Sequence, residues 1–334
     1  VVRYLLQQGI DVLFAGNEWQ RQYVTASIPG LRTIHLDGYN VWYSKTGIGF
    51  IPSLFRQLPR LLQTISREHK WLKEIAAQHH IDAVITDNRY GLYHADVPCA
   101  IMTHQVVPQT GWGPIANKTL QWLHEEQLNR FDNCWIVDLE GEPNLAGRLS
   151  HPKHKAGNAQ YIGLLSQLTT LPATEEHLLV LLSGPEPQRT MLSDILWMQL
   201  QNSDRKIVFV EGSDRMKREH IPAHIDYYQR LTATELNPIL AASEIVICRS
   251  GYSTLMDLAL FGKKAIMIPT PGQAEQEYLA RHLHQEGVWL HAPQKRLDIN
   301  KALQEAAHFP FRKLSFDKGF DQYKAVIDNW LTLL

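Results

Sequence analysis

The chain has 334 residues, 44% of them hydrophobic and 20% charged, with a formal net charge of −1. That length favours two domains over one core, and the near-neutral charge argues against a nucleic-acid binder that works by bulk electrostatics. No run reaches the ~18 apolar residues of a membrane-spanning helix. The cysteines Cys99, Cys134 and Cys248 lie far apart in apolar runs and read as small buried hydrophobes in a reducing compartment. No Cys or His spacing fits a metal site, so no metal ligand is assigned.

In chain order, residues 1–8 read as the second half of a helix, Gly9 as its C-cap and Ile10–Ala15 as a strand. A helix feeding such a strand normally follows an earlier strand and loop, so the expectation is that these precede Val1. Further strands are expected at Arg32–Leu36, Asp82–Thr86, Cys99–Thr103 and Asn133–Val137, with helices at Gln20–Ala26, Ser53–Gln78 and Ile115–Arg130. Residues 39–73 interleave Trp42, Tyr43, Phe50 and Phe55 with Lys45, Arg56, Arg60 and Arg67, a pattern that suits an anionic bilayer or lipid-linked ligand as well as packing on the chain's own sheet. Asp87 and His104 each follow a strand, at the carboxyl edge where ligands bind in such sheets. Each is a candidate acceptor ligand or base, against a loop-capping role.

Residues 157–174 read as the interdomain linker. The second half restarts with strand His177–Leu182, the turn Ser183–Arg189, a helix to Gln201 and strands Lys206–Glu211 and Asp226–Gln229. Helix Glu235–Ala242 and strand Glu244–Cys248 follow, then a helix over 252–261 closed by Gly262. The alternation predicts an α/β fold of two doubly wound parallel sheets.

Ser250-Gly251 turns from a strand into a helix N-terminus, where free backbone N–H groups and the helix dipole favour an anion; glycine there permits φ > 0. Asp257 lies further along that helix, placed to accept from sugar hydroxyls. Gln273, Gln276 and Glu277 follow in a polar loop. The layout suits a nucleotide-sugar. Ser183-Gly184 forms a second such turn, with Arg189 adding charge for a diphosphate.

The segment from about 230 to 290 resembles the donor-binding half of GT-B glycosyltransferases, and most closely the family 28 peptidoglycan N-acetylglucosaminyltransferases. The resemblance implies two Rossmann-like domains facing a cleft: residues 1–158 on the acceptor side, 159–316 holding the donor, and 317–334 as a helix crossing back. It implies a UDP-sugar donor, with Asp257 on the ribose, Thr254 near the diphosphate and Leu231-Thr232 at the base. The sugar falls to the pair Gln276-Glu277, where the family has Gln-Gln. A family Arg is replaced by Gln167, and a His-Glu pair by His104-Gln105. Transfer to an acceptor hydroxyl would be inverting, without metal or cofactor, with the main base a His in the loop expected before Val1. The acceptor would be lipid-linked or a glycan, at the cytoplasmic face of the membrane. A nucleotide-sugar hydrolase or epimerase, and a non-catalytic donor-binding subunit, remain open alternatives.

Overall fold

The computed structural model describes residues 1–38, 50–108, 114–213, 218–316 and 318–334, the side chains of 50–59, 114–117 and 119 excepted. All the strand pairings described are parallel. In the first half β1 (Leu13–Gly16) pairs with β2 (Arg32–His35). A separate four-stranded sheet has the order β3 (Val84–Asp87), β4 (Cys99–Thr103), β5 (Asn133–Ile136), β6 (Ala159–Tyr161). Strand β6 comes from the stretch read as linker; at three residues it is too short to show a period.

The helices of this half are α1 (Val2–Gln7), α2 (Glu18–Ser27), α3 (Phe50–His79) and α4 (Pro114–Leu128). Helix α2 starts at Glu18, two residues before the expected Gln20, because Asn17 and Gln20 form a reciprocal capping box. From residue 60 onward α3 packs on its own domain through buried Ile65, Leu72 and Ala76. Its buried Glu68 pairs with Arg89 and accepts from Gly91 N at 3.2 Å. The aromatic positions 42, 43, 50 and 55 lie outside the described residues or side chains.

The second half is one six-stranded sheet ordered β12 (Leu290–His291), β11 (Lys264–Met267), β10 (Ser243–Cys248), β7 (His177–Leu181), β8 (Ile207–Val210), β9 (Ile225–Tyr228). From β7 the chain first adds strands on one side, then returns to β10 on the other. This is the doubly wound order, with its reversal between β7 and β10. Helices α5 (Gln188–Leu200), α6 (Ala233–Ala241), α7 (Tyr252–Phe261), α8 (Ala274–Gln285) and α9 (Ile299–His308) flank it. Strand interiors such as Leu178–Val180 and Ile245–Cys248 are buried throughout, as a sheet covered on both faces requires.

One apolar cluster runs through both halves, from Trp135 and Leu149 to Leu255, Met267 and Leu279. The last helix, α10 (Gln322–Leu331), lies against the first half. Trp330 meets Trp135 edge-on at 5.2 Å, and Tyr4 Oη donates to Asp328 at 2.6 Å.

Candidate donor site and the cleft facing it

Ligands in doubly wound sheets bind beyond the carboxyl ends of the strands that flank the reversal. Those strands deliver Ser183-Gly184 from β7 and Ser250-Gly251 from β10, so two turns distant in sequence meet at one crevice. Gly184 has φ +102°, a conformation that favours glycine. Gly251 does not: its φ is −74° and ψ 138°, so the expected positive φ is not what glycine supplies there. What it leaves is room, since a Cβ would meet nothing nearer than Gln276 Nε2 at 4.0 Å. Gly251 N-caps α7, whose first turn carries no side-chain cap and no acidic residue.

Beneath this turn lies Arg249, only 1% exposed. Its guanidinium donates to the carbonyls of Ile268 and Pro269, both at 3.0 Å, and of Gln188 at 2.7 Å. It thus ties the ends of β10 and β11 to the start of α5. Burial lowers its pKa to about 10, which still leaves it charged at neutral pH. It has no carboxylate partner among the described residues, and its charge is met by those three carbonyls. The sequence reading passed over it, because an Arg between a strand and a Ser-Gly turn gives no sign of its direction.

Asp257 lies half-buried further along α7 and accepts from Ser166 Oγ at 2.6 Å. Burial pushes its carboxyl up to about 6, opposed by the Ser166 hydrogen bond. Thr254 is half-buried on the preceding turn of α7. Gln276 is buried, and its Oε1 accepts from Thr270 N at 2.9 Å; Glu277 accepts from Gly272 N at 2.9 Å. Both acceptors brace the turn over 270–273. Ser250 Oγ donates to the Gln276 carbonyl at 2.8 Å, locking that turn to the Ser-Gly loop. Two buried oxygens in the turn, Thr270 Oγ1 and Gln273 Oε1, have no hydrogen-bond partner. A Cβ on Gly184 would lie 3.9 Å from Thr270 Oγ1, so that hydroxyl borders the first Ser-Gly turn. Buried polar atoms are nearly always bonded, so these two call for a partner that the described residues do not supply.

Other expected donor residues are already engaged. Arg189 donates to Glu186 at 2.8 Å and to the Gly212 carbonyl, so its charge is largely neutralised. Thr232 N-caps α6 in a capping box with Glu235, and Leu231 packs on the core. The unforeseen neighbours are aromatic. Trp19 and Tyr23 of α2 stack at 5.5 Å, Arg230 lies over Trp19 at 5.4 Å, and Gln167 donates to Tyr23 Oη at 3.1 Å. These contacts join the first half to the donor side.

The cleft closes a second time at His104. Its Nε2 lies 2.9 Å from Glu275 Oε1 on α8, and its ring stacks on Tyr252 of α7 at 4.3 Å and 6°. Tyr252 Oη donates to the Val137 carbonyl at 2.8 Å. His124 of α4 holds the turn after His104: its Nε2 donates to the Gln105 carbonyl at 2.9 Å, and its Nδ1 faces Tyr90 Oη at 3.3 Å. Burial lowers the His124 pKa to about 4, so it is neutral there. Asp87 stands close enough for His104 to oppose the rise that burial imposes on its carboxyl. Its side chain is nonetheless exposed to water.

Residues 189–318 match the glycosyltransferase family 28 C-terminal domain. Over the full length the chain superposes on the glycosyltransferase SnogD from Streptomyces nogalater, with a TM-score of 0.64 at 14% identity, covering 99% of this chain and 93% of the other. The calicheamicin glycosyltransferase CalG4 gives 0.64 at 11% identity, covering 99% and 92%. The chain has the GT-B fold. Its second half carries a family 28 C-terminal domain. The curated relatives are UDP-N-acetylglucosamine–N-acetylmuramyl-(pentapeptide) pyrophosphoryl-undecaprenol N-acetylglucosamine transferases. That of Caldanaerobacter subterraneus is 30% identical over 117 residues, and that of Pasteurella multocida 26% over 197. The first alignment spans 32% of each chain and the second 56%, so the chain matches about a third to about half of these relatives' length.

The structure joins Gly184, Ser250, Gly251, Gln276 and Glu277 to the 270–273 turn that carries Gln273; Ser183 stands in the turn after β7, Thr254 and Asp257 on α7, and Asp87 near His104. Thr232 and Arg189 have their polar groups in use, and Leu231 packs on the core. Ser166, Arg249, Thr270, Tyr252 and Glu275 were missed. Of these only Glu275 gave a signal, as an acidic residue in the first turn of α8.

Proposed function

We propose that the chain is a family 28-like glycosyltransferase that takes its sugar from a nucleoside diphosphate sugar bound at the β7–β10 crevice. The observation that carries this reading is the uncapped N-terminus of α7 at Ser250-Gly251, tied by Ser250 Oγ to the Gln276 carbonyl beside a turn whose Thr270 Oγ1 and Gln273 Oε1 have no partner. Asp257 accepts from ribose hydroxyls, the Ser-Gly turns receive the diphosphate, and the 270–273 turn meets the sugar. As the bond to the leaving diphosphate breaks, the α7 N-terminus and the buried Arg249 stabilise the growing charge, because fixed dipoles need no reorganisation. Arg249 therefore takes the part that the sequence assigned to Arg189. Transfer proceeds to an acceptor hydroxyl entering from the His104 wall, with inversion at the anomeric carbon.

Two nucleotides merit trial. The curated relatives are UDP-N-acetylglucosamine enzymes, and a solved neighbour of 13% identity and TM-score 0.55, the glycosyltransferase VinC, holds dTDP. Calorimetry with UDP-N-acetylglucosamine, UDP-glucose, dTDP-glucose and a GDP-sugar tests the donor class. Binding of one nucleotide class in preference to the others is expected; indifference to all would remove the reading. Since the relatives' acceptor is lipid-linked, a polyprenyl-diphosphate sugar is the first acceptor to supply. Rapid consumption of the donor without any acceptor would replace transfer by hydrolysis.

A further inference from the structure

The cleft wall opposite the donor crevice holds a His–carboxylate pair whose members come from different halves of the molecule. His104 leaves β4 of the first half; Glu275 stands in the first turn of α8 in the second. Both side chains are about one-fifth exposed. An ionised carboxylate only accepts, so the proton of the 2.9 Å contact sits on His104 Nε2. The neutral ring then carries its lone pair on Nδ1. That atom has no partner among the described residues and is not sealed from water. The ring plane is fixed from below by Tyr252, itself anchored on the Val137 carbonyl, and the backbone after His104 is held by His124. Tautomer, plane and backbone are thus all set, which is more than a surface His requires.

We propose that Glu275 is the positioning residue of His104, and that His104 Nδ1 is the base that takes the acceptor's proton. This rests on the transferase reading above. The acceptor oxygen forms its bond to the anomeric carbon as that carbon's bond to the diphosphate oxygen breaks, and the electron pair leaves on the diphosphate. The acceptor hydroxyl proton passes to Nδ1. The resulting imidazolium is stabilised by the Glu275 carboxylate and by the face of Tyr252, then gives its proton to water as product leaves.

The test uses the full chain labelled with 15N-histidine, the His104 signal being assigned by its loss in His104→Gln. Wild type is expected to show the Nε2–H tautomer. Glu275→Gln keeps that tautomer, because the amide oxygen still accepts, and Glu275→Ala lets it average between the two nitrogens. In parallel, UDP release from UDP-N-acetylglucosamine with water as acceptor is followed. Glu275→Ala should lower the rate constant by on the order of 10- to 100-fold, the usual cost of removing a His-orienting carboxylate, with the donor Kd unchanged. His104→Gln should fall by at least as much. A tautomer indifferent to Glu275, or UDP release unaffected in Glu275→Ala while donor still binds, overturns this inference alone. Failure of wild type to bind any nucleotide-sugar overturns the transferase reading and this one with it.

Discussion

The two walls of the cleft differ in how their polar groups are satisfied. On the first half His104, Glu68, Arg89 and His124 all have partners, and the wall is held by contacts within the protein. On the second half the crevice keeps two buried oxygens without partners, beside a carboxylate whose ionisation burial resists. An unpaired buried hydroxyl or amide costs about 1–3 kcal/mol. On the proposed function, the second half stores that cost for a donor to relieve, whereas the facing wall of the first half is organised in advance.

The largest test of this contrast is structural. Arg249→Ala strips three buried carbonyls of their donor and should destabilise the second half by roughly 3–5 kcal/mol in urea unfolding. A change below about 1 kcal/mol would mean those carbonyls find other partners and the crevice is not built on Arg249. Next comes pH on the opposite wall. His124 has its folded pKa depressed to about 4, so below pH 6.5 the unfolded chain binds more protons than the native one. Stability is therefore lost as pH falls from 6.5 through 4, by up to about 3 kcal/mol, and His124→Gln should flatten that slope.

Donor affinity gives the finer tests. With Asp257 raised to about 6, a ribose hydroxyl donating to its carboxylate favours the ionised form, so binding should weaken below pH 6 by up to about tenfold per unit. Asp257→Asn should remove that pH dependence; its persistence in the variant would assign it to another group. The smallest effect separates orphan from ornament. Thr270→Val deletes an unpartnered hydroxyl at almost constant shape, so stability should hold or rise while donor affinity drops by about 0.5–1.5 kcal/mol. Unchanged affinity would mean that Thr270 is merely buried and meets no ligand.

The fold was legible because strands with continuous apolar runs, such as 177–181 and 243–248, alternate with helices of clear period. The two Ser-Gly turns and the lone carboxylate of α7 were legible as residue types, and their role in binding a donor is the proposal made above. What escaped has physical reasons. Strand β6 and β12 are too short for a period. Gly251 reads as a φ-positive turn by residue type, yet neighbouring structure uses it only for space. Arg189 and Thr232 have the chemistry for ligands, but Glu186 and Glu235, each three residues away, reach them first. His104–Glu275 joins residues 171 positions apart, a contact that no local pattern encodes.

The most direct measurement is a calorimetric titration of UDP-N-acetylglucosamine into wild type and Asp257→Ala at neutral pH. The account requires saturable binding by wild type and a loss of at least about tenfold in the variant, the worth of one hydrogen bond to a charged group. Equal affinity in the two proteins would place the nucleotide elsewhere and contradict the assignment of the β7–β10 crevice as the donor site.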